Sequence, residues 1–272
     1  MNNILVRTLS GAVFISLILV PLFLENSVYT VVILFLFMTL GIVEYGKLVQ
    51  HAGSITINWQ LNTVFSLLIS SLYILKLYGY APWAYEVIFC LVFIWSSTEL
   101  WRKKEHPLIN IGISLFGFIY VCVPLLLAIS IHFTDKHSFP LLAGMFILIW
   151  TNDTFAFLSG KFFGKTKLFE RISPKKTWEG TIGGILFTLL MAFALSTLFD
   201  PEQQLFWIVS VLFIVPAAIY GDLLESLFKR SLGVKDSGNI MPGHGGILDR
   251  FDASFFAIPF FLMWHQLYVY LN

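Results

Sequence analysis

The feature that most constrains this chain is a series of nine predominantly apolar runs, each near the length of a bilayer-spanning helix. They fall at residues 4–24, 28–46, 59–79, 82–100, 108–131, 139–159, 179–199, 204–226 and 252–271. About 20 apolar residues at a helical rise of ~1.5 Å cover the hydrocarbon core of a bilayer. Most connections between the runs are short, but two, 160–178 and 227–251, are long and polar. The chain is 57% hydrophobic and only 12% charged, about half the charged share of an ordinary soluble domain. No single water-soluble core hides that much apolar surface. The reading is an all-α polytopic membrane protein with about nine transmembrane helices. A soluble enzyme, a disordered chain and a fibrous repeat are excluded. The net charge of +1 provides no global field for nucleic acid, so no such partner is expected. Cys90 and Cys122 lie within apolar runs and lack CxxC or Cys/His spacing, which argues against a disulfide framework or a zinc site. Residues 4–24 are too long for a signal peptide and lack an A-x-A-like cleavage site, so they are read as the first span.

The basic residues orient the spans. With the N-terminus in the cytoplasm and nine spans alternating, all of the 17 Lys and Arg except Lys76 and Lys136 fall on the cytoplasmic side. Both long polar loops are then cytoplasmic. The chain divides into residues 1–150, nearly plain apolar helices, and a catalytic transmembrane region, 151–272, that carries loops 160–178 and 227–251. A transporter built on inverted repeats would show interrupted helices in both halves, whereas here the interruptions cluster in one.

The segment from Gly221 to Asp252 holds Asp222, Glu225, Asp236, Asp249 and Asp252 together with Lys229, Arg230, Lys235, His244 and Arg250. Carboxylates and cations mixed at a membrane surface suggest a divalent metal with phosphates. Mg²⁺ typically takes one or two carboxylates plus phosphate oxygens, and Lys and Arg take the remaining phosphate charge. Asp222, Glu225, Ser226 and Lys229 are spaced i, i+3, i+4 and i+7, one face of a helix leaving span eight. Asp249 and Asp252 share a face where span nine begins, near a helix N-terminus that favours acids. The intervening Pro242-Gly243-His244-Gly245-Gly246 allows backbone to approach phosphate closely. The bland alternative is a solvated loop with surface ion pairs.

Asp153 falls inside an apolar run, and an intramembrane acid is by default a functional-site hypothesis. Residues 160–178 mix Lys161, Lys165, Lys167, Arg171, Lys175 and Lys176 with Phe162, Phe163, Leu168 and Phe169, which suits a segment lying on anionic lipid. Thr177 is placed to cap the next helix, setting Lys175 and Lys176 beside an anion-favouring N-terminus. Gly180 and Gly184 form a small-xxx-small packing face. A P-loop, a GxGxxG turn and a Gly-x-Ser-x-Gly elbow are all missing from the sequence.

Ser226-Leu-Phe-Lys229-Arg230, Lys235-Asp236 and Pro242-Gly-His244-Gly245-Gly246-Ile-Leu-Asp249-Arg250-Phe-Asp252 together span 27 positions. They resemble the signature of the phosphatidate cytidylyltransferases, or CDP-diacylglycerol synthases. Met241 stands where Leu, Ile or Phe is expected, a conservative exchange. Ser173-Pro-Lys175-Lys176-Thr177-Trp-Glu179-Gly180 and Asn152-Asp153 resemble further stretches of that family; residues 1–150 resemble it only in hydropathy. The resemblance implies transfer of a cytidylyl group from CTP to phosphatidate, yielding CDP-diacylglycerol and pyrophosphate for phospholipid biosynthesis, with Mg²⁺. Two metal ions are expected, with a monovalent ion left open. Asp222, Asp249 and Asp252 are the expected metal ligands. Lys229, Arg230, Lys235, Lys175, Lys176 and Arg250 are candidate phosphate contacts. Ser173, Thr177 and His244 are further polar contacts, and Asp153 is a ligand or an orienting group. The partners implied are CTP or dCTP, phosphatidate and membrane lipids, with a homodimer left open. The implied location is a bacterial cytoplasmic membrane, with the active site facing the cytoplasm. Two other classes compete. The CDP-alcohol phosphatidyltransferases carry a DGxxAR…GxxxDxxxD pattern that this chain lacks, and a transporter would use Asp153 and Asp222 to line an ion path.

Overall fold

In lipid every backbone N–H and C=O must be satisfied within the segment, so apolar runs of this length become helices. The computed structural model describes residues 3–51, 56–135, 137–241, 243 and 245–272. It contains α1 (Asn3–Leu22), α2 (Ser27–His51), α3 (Trp59–Leu77), α4 (Ala84–Ser97), α5 (Pro107–Gly117), α6 (Val123–Thr134), α7 (Leu141–Phe163), α8 (Trp178–Phe199), α9 (Gln204–Ser231) and α10 (Leu248–Leu271). A 3₁₀ turn extends α4 to Trp101, and a π-helical turn, Phe118–Cys122, joins α5 to α6 in one rod. Among the described residues each predicted run falls on a helical rod. Eight are long and apolar enough to cross a bilayer, while the described apolar stretch of α1 is the shorter Arg7–Leu22. Cys90 and Cys122 are both free thiols.

Outward faces are apolar, as lipid contact requires: Phe89, Leu190 and Leu212 are each more than 60% exposed. The core lies between α2, α6, α7, α9 and α10, with Met38, Leu125, Phe146, Phe206, Phe251 and Phe261 fully buried. Backbone-to-backbone approach sets the α7–α8 contact. A Cβ on Gly180 would lie 2.7 Å from the Ala156 carbonyl oxygen, and one on Gly184 2.6 Å from Asn152 Oδ1. The small-xxx-small face read in the sequence is thus the surface on which α8 rides.

The two polar connections are shorter and more ordered than their sequence bounds. Residues 160–178 contain the end of α7 and an antiparallel ribbon, β1 (Lys167–Phe169) with β2 (Ser173–Thr177), registered Lys167 to Thr177 and Phe169 to Ser173. The connection 227–251 loses both flanks to helix. α9 continues to Ser231, because nothing breaks it before Gly233, which adopts φ +72°. Lys229 and Arg230 in its last turn also complement its dipole. α10 starts at Leu248 rather than at Asp252, for reasons that lie in the site.

Candidate functional site

The site forms where the C-terminal ends of α7 and α9 meet the N-terminal ends of α8 and α10. The ribbon is pinned to α8 at two points. Thr177 Oγ1 accepts from Gly180 N at 3.2 Å, capping α8, and Glu179 accepts from Lys165 N and Thr166 N at 3.0 and 3.1 Å. Successive strand side chains point to opposite faces. Lys175 is accordingly exposed, whereas Lys176 turns inward and ion-pairs with Asp222 at 2.5 Å. That pair joins two segments that are 46 positions apart in the chain. Ser173 is half-buried at the start of β2.

On α9 the predicted face exists. Ser226 Oγ donates to Asp222 Oδ1 at 3.3 Å and Lys229 Nζ to Glu225 Oε2 at 3.1 Å, both i, i+4. Lys229 also reaches Asp249 Oδ1 at 2.6 Å, so α9 and α10 are joined by charge. The other oxygen of Asp249, Oδ2, accepts from Ser237 N and Gly246 N, each at 2.9 Å, and lies 2.9 Å from Ser237 Oγ. Reaching back to Gly246, Asp249 helps start α10 upstream of Asp252. Asp252 Oδ1 accepts from Ala253 N at 2.7 Å, and the carboxylates of Glu225, Asp222 and Asp153 lie within its electrostatic reach. Asp153 is exposed on α7, with Lys176 and Asp222 in its field.

The remaining candidates sit at the margin. Arg230 Nη1 contacts Val234 O at 3.5 Å, Lys235 is exposed, and Arg250 is half-buried on α10. His244 lies outside the described residues. Gly243, at φ +74°, lies against Arg7: a Cβ there would meet Arg7 Cγ at 2.7 Å. Arg7 entered the sequence reading only as a topology signal.

The donor set suits a hard cation. The acids Asp153, Asp222, Glu225 and Asp252 supply oxygen alone, and two buried oxygens beside them, Glu225 Oε1 and Asn152 Oδ1, have no hydrogen-bond partner among the described residues. Among the described residues no group of three or more His, Cys, Asp or Glu converges as a complete metal cage.

Two residues escaped sequence reasoning. Glu44, on α2, is 5% exposed and accepts from Ile247 N and Leu248 N at 2.9 and 3.0 Å, and from Ser237 Oγ. The signal was available, since Glu44 is an acid inside an apolar run. Tyr120 sits on the π-helical turn, nine-tenths buried, and its hydroxyl has no hydrogen-bond partner among the described residues. The carboxylates of Glu225, Asp252, Asp222 and Asp249 fall within its electrostatic reach. No residue spacing announces a π turn.

Fold and site together define an integral membrane protein with a mixed carboxylate–ammonium centre at one end of its helices. Residues 5–268 match the model of the Cytidylyltransferase family. The chain belongs to that family. It is 39% identical over 173 residues to the phosphatidate cytidylyltransferase of Haemophilus influenzae, covering 61% of this chain and 59% of that protein. It is 36% identical over 183 residues to that of Staphylococcus aureus strain COL, covering 65% and 69%. With the Bacillus subtilis phosphatidate cytidylyltransferase it shares 36% identity over 178 residues, 64% of each chain.

Proposed function

We propose that this protein transfers a cytidylyl group from CTP to phosphatidate, releasing pyrophosphate and forming CDP-diacylglycerol, at the cytoplasmic face of a bacterial membrane. The observation that carries the reading is the joining of Lys176 to Asp222 and of Lys229 to Asp249 in one centre, in a chain of the Cytidylyltransferase family. Paired ammonium groups and carboxylates at a helix-end surface suit a reaction between two phosphates, one on a soluble nucleotide and one on a lipid.

In this reading a phosphatidate oxygen attacks the α-phosphorus of CTP, and the bond from that phosphorus to the bridging oxygen of the β-phosphate breaks. Pyrophosphate leaves with the bonding electrons. Phosphatidate is already anionic near neutral pH, so no strong general base is required. Lys175, Lys176, Lys229, Arg230, Lys235 and Arg250 offset the phosphate charge that builds at the attacking and leaving oxygens, an electrostatic contribution. Ser173, Thr177 and His244 add polar contacts. Asp249 fixes Lys229 and the Gly-rich loop. Asp222 and Asp252, with Glu225 and Asp153 at hand, would hold Mg²⁺, which when bound screens the phosphates from one another.

The test is pyrophosphate release by purified protein in detergent with CTP, Mg²⁺ and phosphatidate. Release that requires both substrates is expected. Release of CMP from CDP-diacylglycerol and an alcohol, with no pyrophosphate from CTP, would overturn the reading.

A further inference from the structure

Glu44 lies in the half of the chain that carries no recognisable motif, yet its carboxylate is spent on the catalytic half. It accepts from Ile247 N, Leu248 N and Ser237 Oγ, as described above. Gly246 and Gly238 pack directly on the same carboxylate, and a Cβ on Gly238 would meet Glu44 Oε2 at 2.8 Å. Ser237 is shared, because its Oγ also contacts Asp249 Oδ2 at 2.9 Å. Contacts therefore run unbroken from Glu44 through Ser237 and Asp249 to Lys229. The neighbouring Tyr45 makes the second grip. Its ring stacks on Phe228 of α9, with centroids 5.5 Å apart and planes 2° from parallel, while its hydroxyl is tied to Ile113 O at 2.9 Å. Consecutive residues of α2 thus hold the end of α9 and the start of α10.

We infer that Glu44 is a positioning residue for the cytidylyl-transfer centre: through Ser237 and the first amides of α10 it sets where Asp249 and Lys229 stand. The inference rests on the proposed reaction for its kinetic part, but its structural part is read independently. Glu44 touches no reacting atom in this scheme. A glutamine at this position keeps the shape but has one acceptor oxygen in place of two, so at least one of the three donors loses its partner.

The experiment compares wild type with Glu44→Gln, Glu44→Asp and Ser237→Ala. It follows hydrogen–deuterium exchange across residues 237–249, melting temperature, and pyrophosphate release with CTP varied. Glu44→Gln is expected to raise exchange selectively over 237–249 and to lower kcat/KM about tenfold or more, since hydrogen bonds to a charged acceptor are among the stronger ones. The loss should exceed any fall in the folded fraction. Glu44→Asp, charged but one methylene short, is expected to restore activity only in part. Ser237→Ala, which leaves the helix cap in place, is expected to act in the same direction, with less than additive effect when combined with Glu44→Gln. Wild-type exchange and wild-type kcat and KM in Glu44→Gln would overturn the inference. So would activity losses that follow the folded fraction alone in both Glu44→Gln and Ser237→Ala. Wild-type protein that releases no pyrophosphate would defeat the reaction while the exchange data still decide the positioning.

Discussion

Replacing Asp249 with Asn tests the centre most directly, because the side chain changes charge without changing shape. The carboxylate accepts from Lys229 Nζ on Oδ1 and from Ser237 N and Gly246 N on Oδ2, where the Ser237 hydroxyl, with one proton between Asp249 and Glu44, also lies. Asparagine offers one acceptor oxygen, so it must choose. Turning its amide nitrogen to the loop opposes the two amides Ser237 N and Gly246 N, each costing ~1–3 kcal/mol when left unmade in a buried place. Turning the nitrogen to Lys229 loses one charge-assisted bond, ~1.5–3 kcal/mol, while Lys229 keeps Glu225 at 3.1 Å. The second arrangement is cheaper and is the one expected. If that energy is needed in the transition state, turnover falls about 10- to 150-fold. The assay is pyrophosphate release per folded molecule, with gel filtration and thermal melting to count folded protein. Retention of more than about a tenth of wild-type turnover by a folded Asp249→Asn protein would refute the network argument for this residue.

Lys176→Gln removes the partner of Asp222, whose side chain is 33% exposed. Stability should change by less than about 1 kcal/mol, while turnover drops at least tenfold; near-normal turnover would remove Lys176 from the phosphate contacts. Gly180→Val forces a side chain against the Ala156 carbonyl oxygen, and overpacking of this kind is worth ~1–3 kcal/mol. A lowered melting temperature is expected there but not for Gly112→Ala, which has nothing within 4 Å of its added Cβ. Chelation of divalent cations should stop pyrophosphate release and added Mg²⁺ should restore it, so release that persists in metal-free buffer would exclude the proposed Mg²⁺.

Legibility in the sequence followed range. Hydropathy located every rod because the bilayer imposes one length on all of them. Local spacing located the Thr177 cap, the Ser226–Asp222 and Lys229–Glu225 contacts and the glycine face of α8, all within four residues. Contacts across the chain were not readable in that way. Nothing in SPKKT says that Lys176 rather than Lys175 meets Asp222, since strand phase in the β1–β2 ribbon decides it. Glu44 sits 193 residues from Ser237, and its helix looks like a plain apolar span until α10 is laid against it. The bounds of 227–251 were too wide because polar composition was read as loop. Lys229 and Asp249 are polar but helical, satisfied by one another.

The glycine face of α8 makes the distance between two helices a gauge for the distance between two charges. Lys176 stands one residue before the cap of α8, and Asp222 stands on α9. Where α8 rests on α7 through Gly180, the Ala156 carbonyl rather than a pliant side chain fixes its position. An outward shift of about 1 Å would stretch the 2.5 Å Lys176–Asp222 pair by a comparable amount and weaken it, within the less than about 1 kcal/mol that so exposed a pair contributes. A small shift at this helix seam would then be felt as a change of electrostatic calibration in the site beside it.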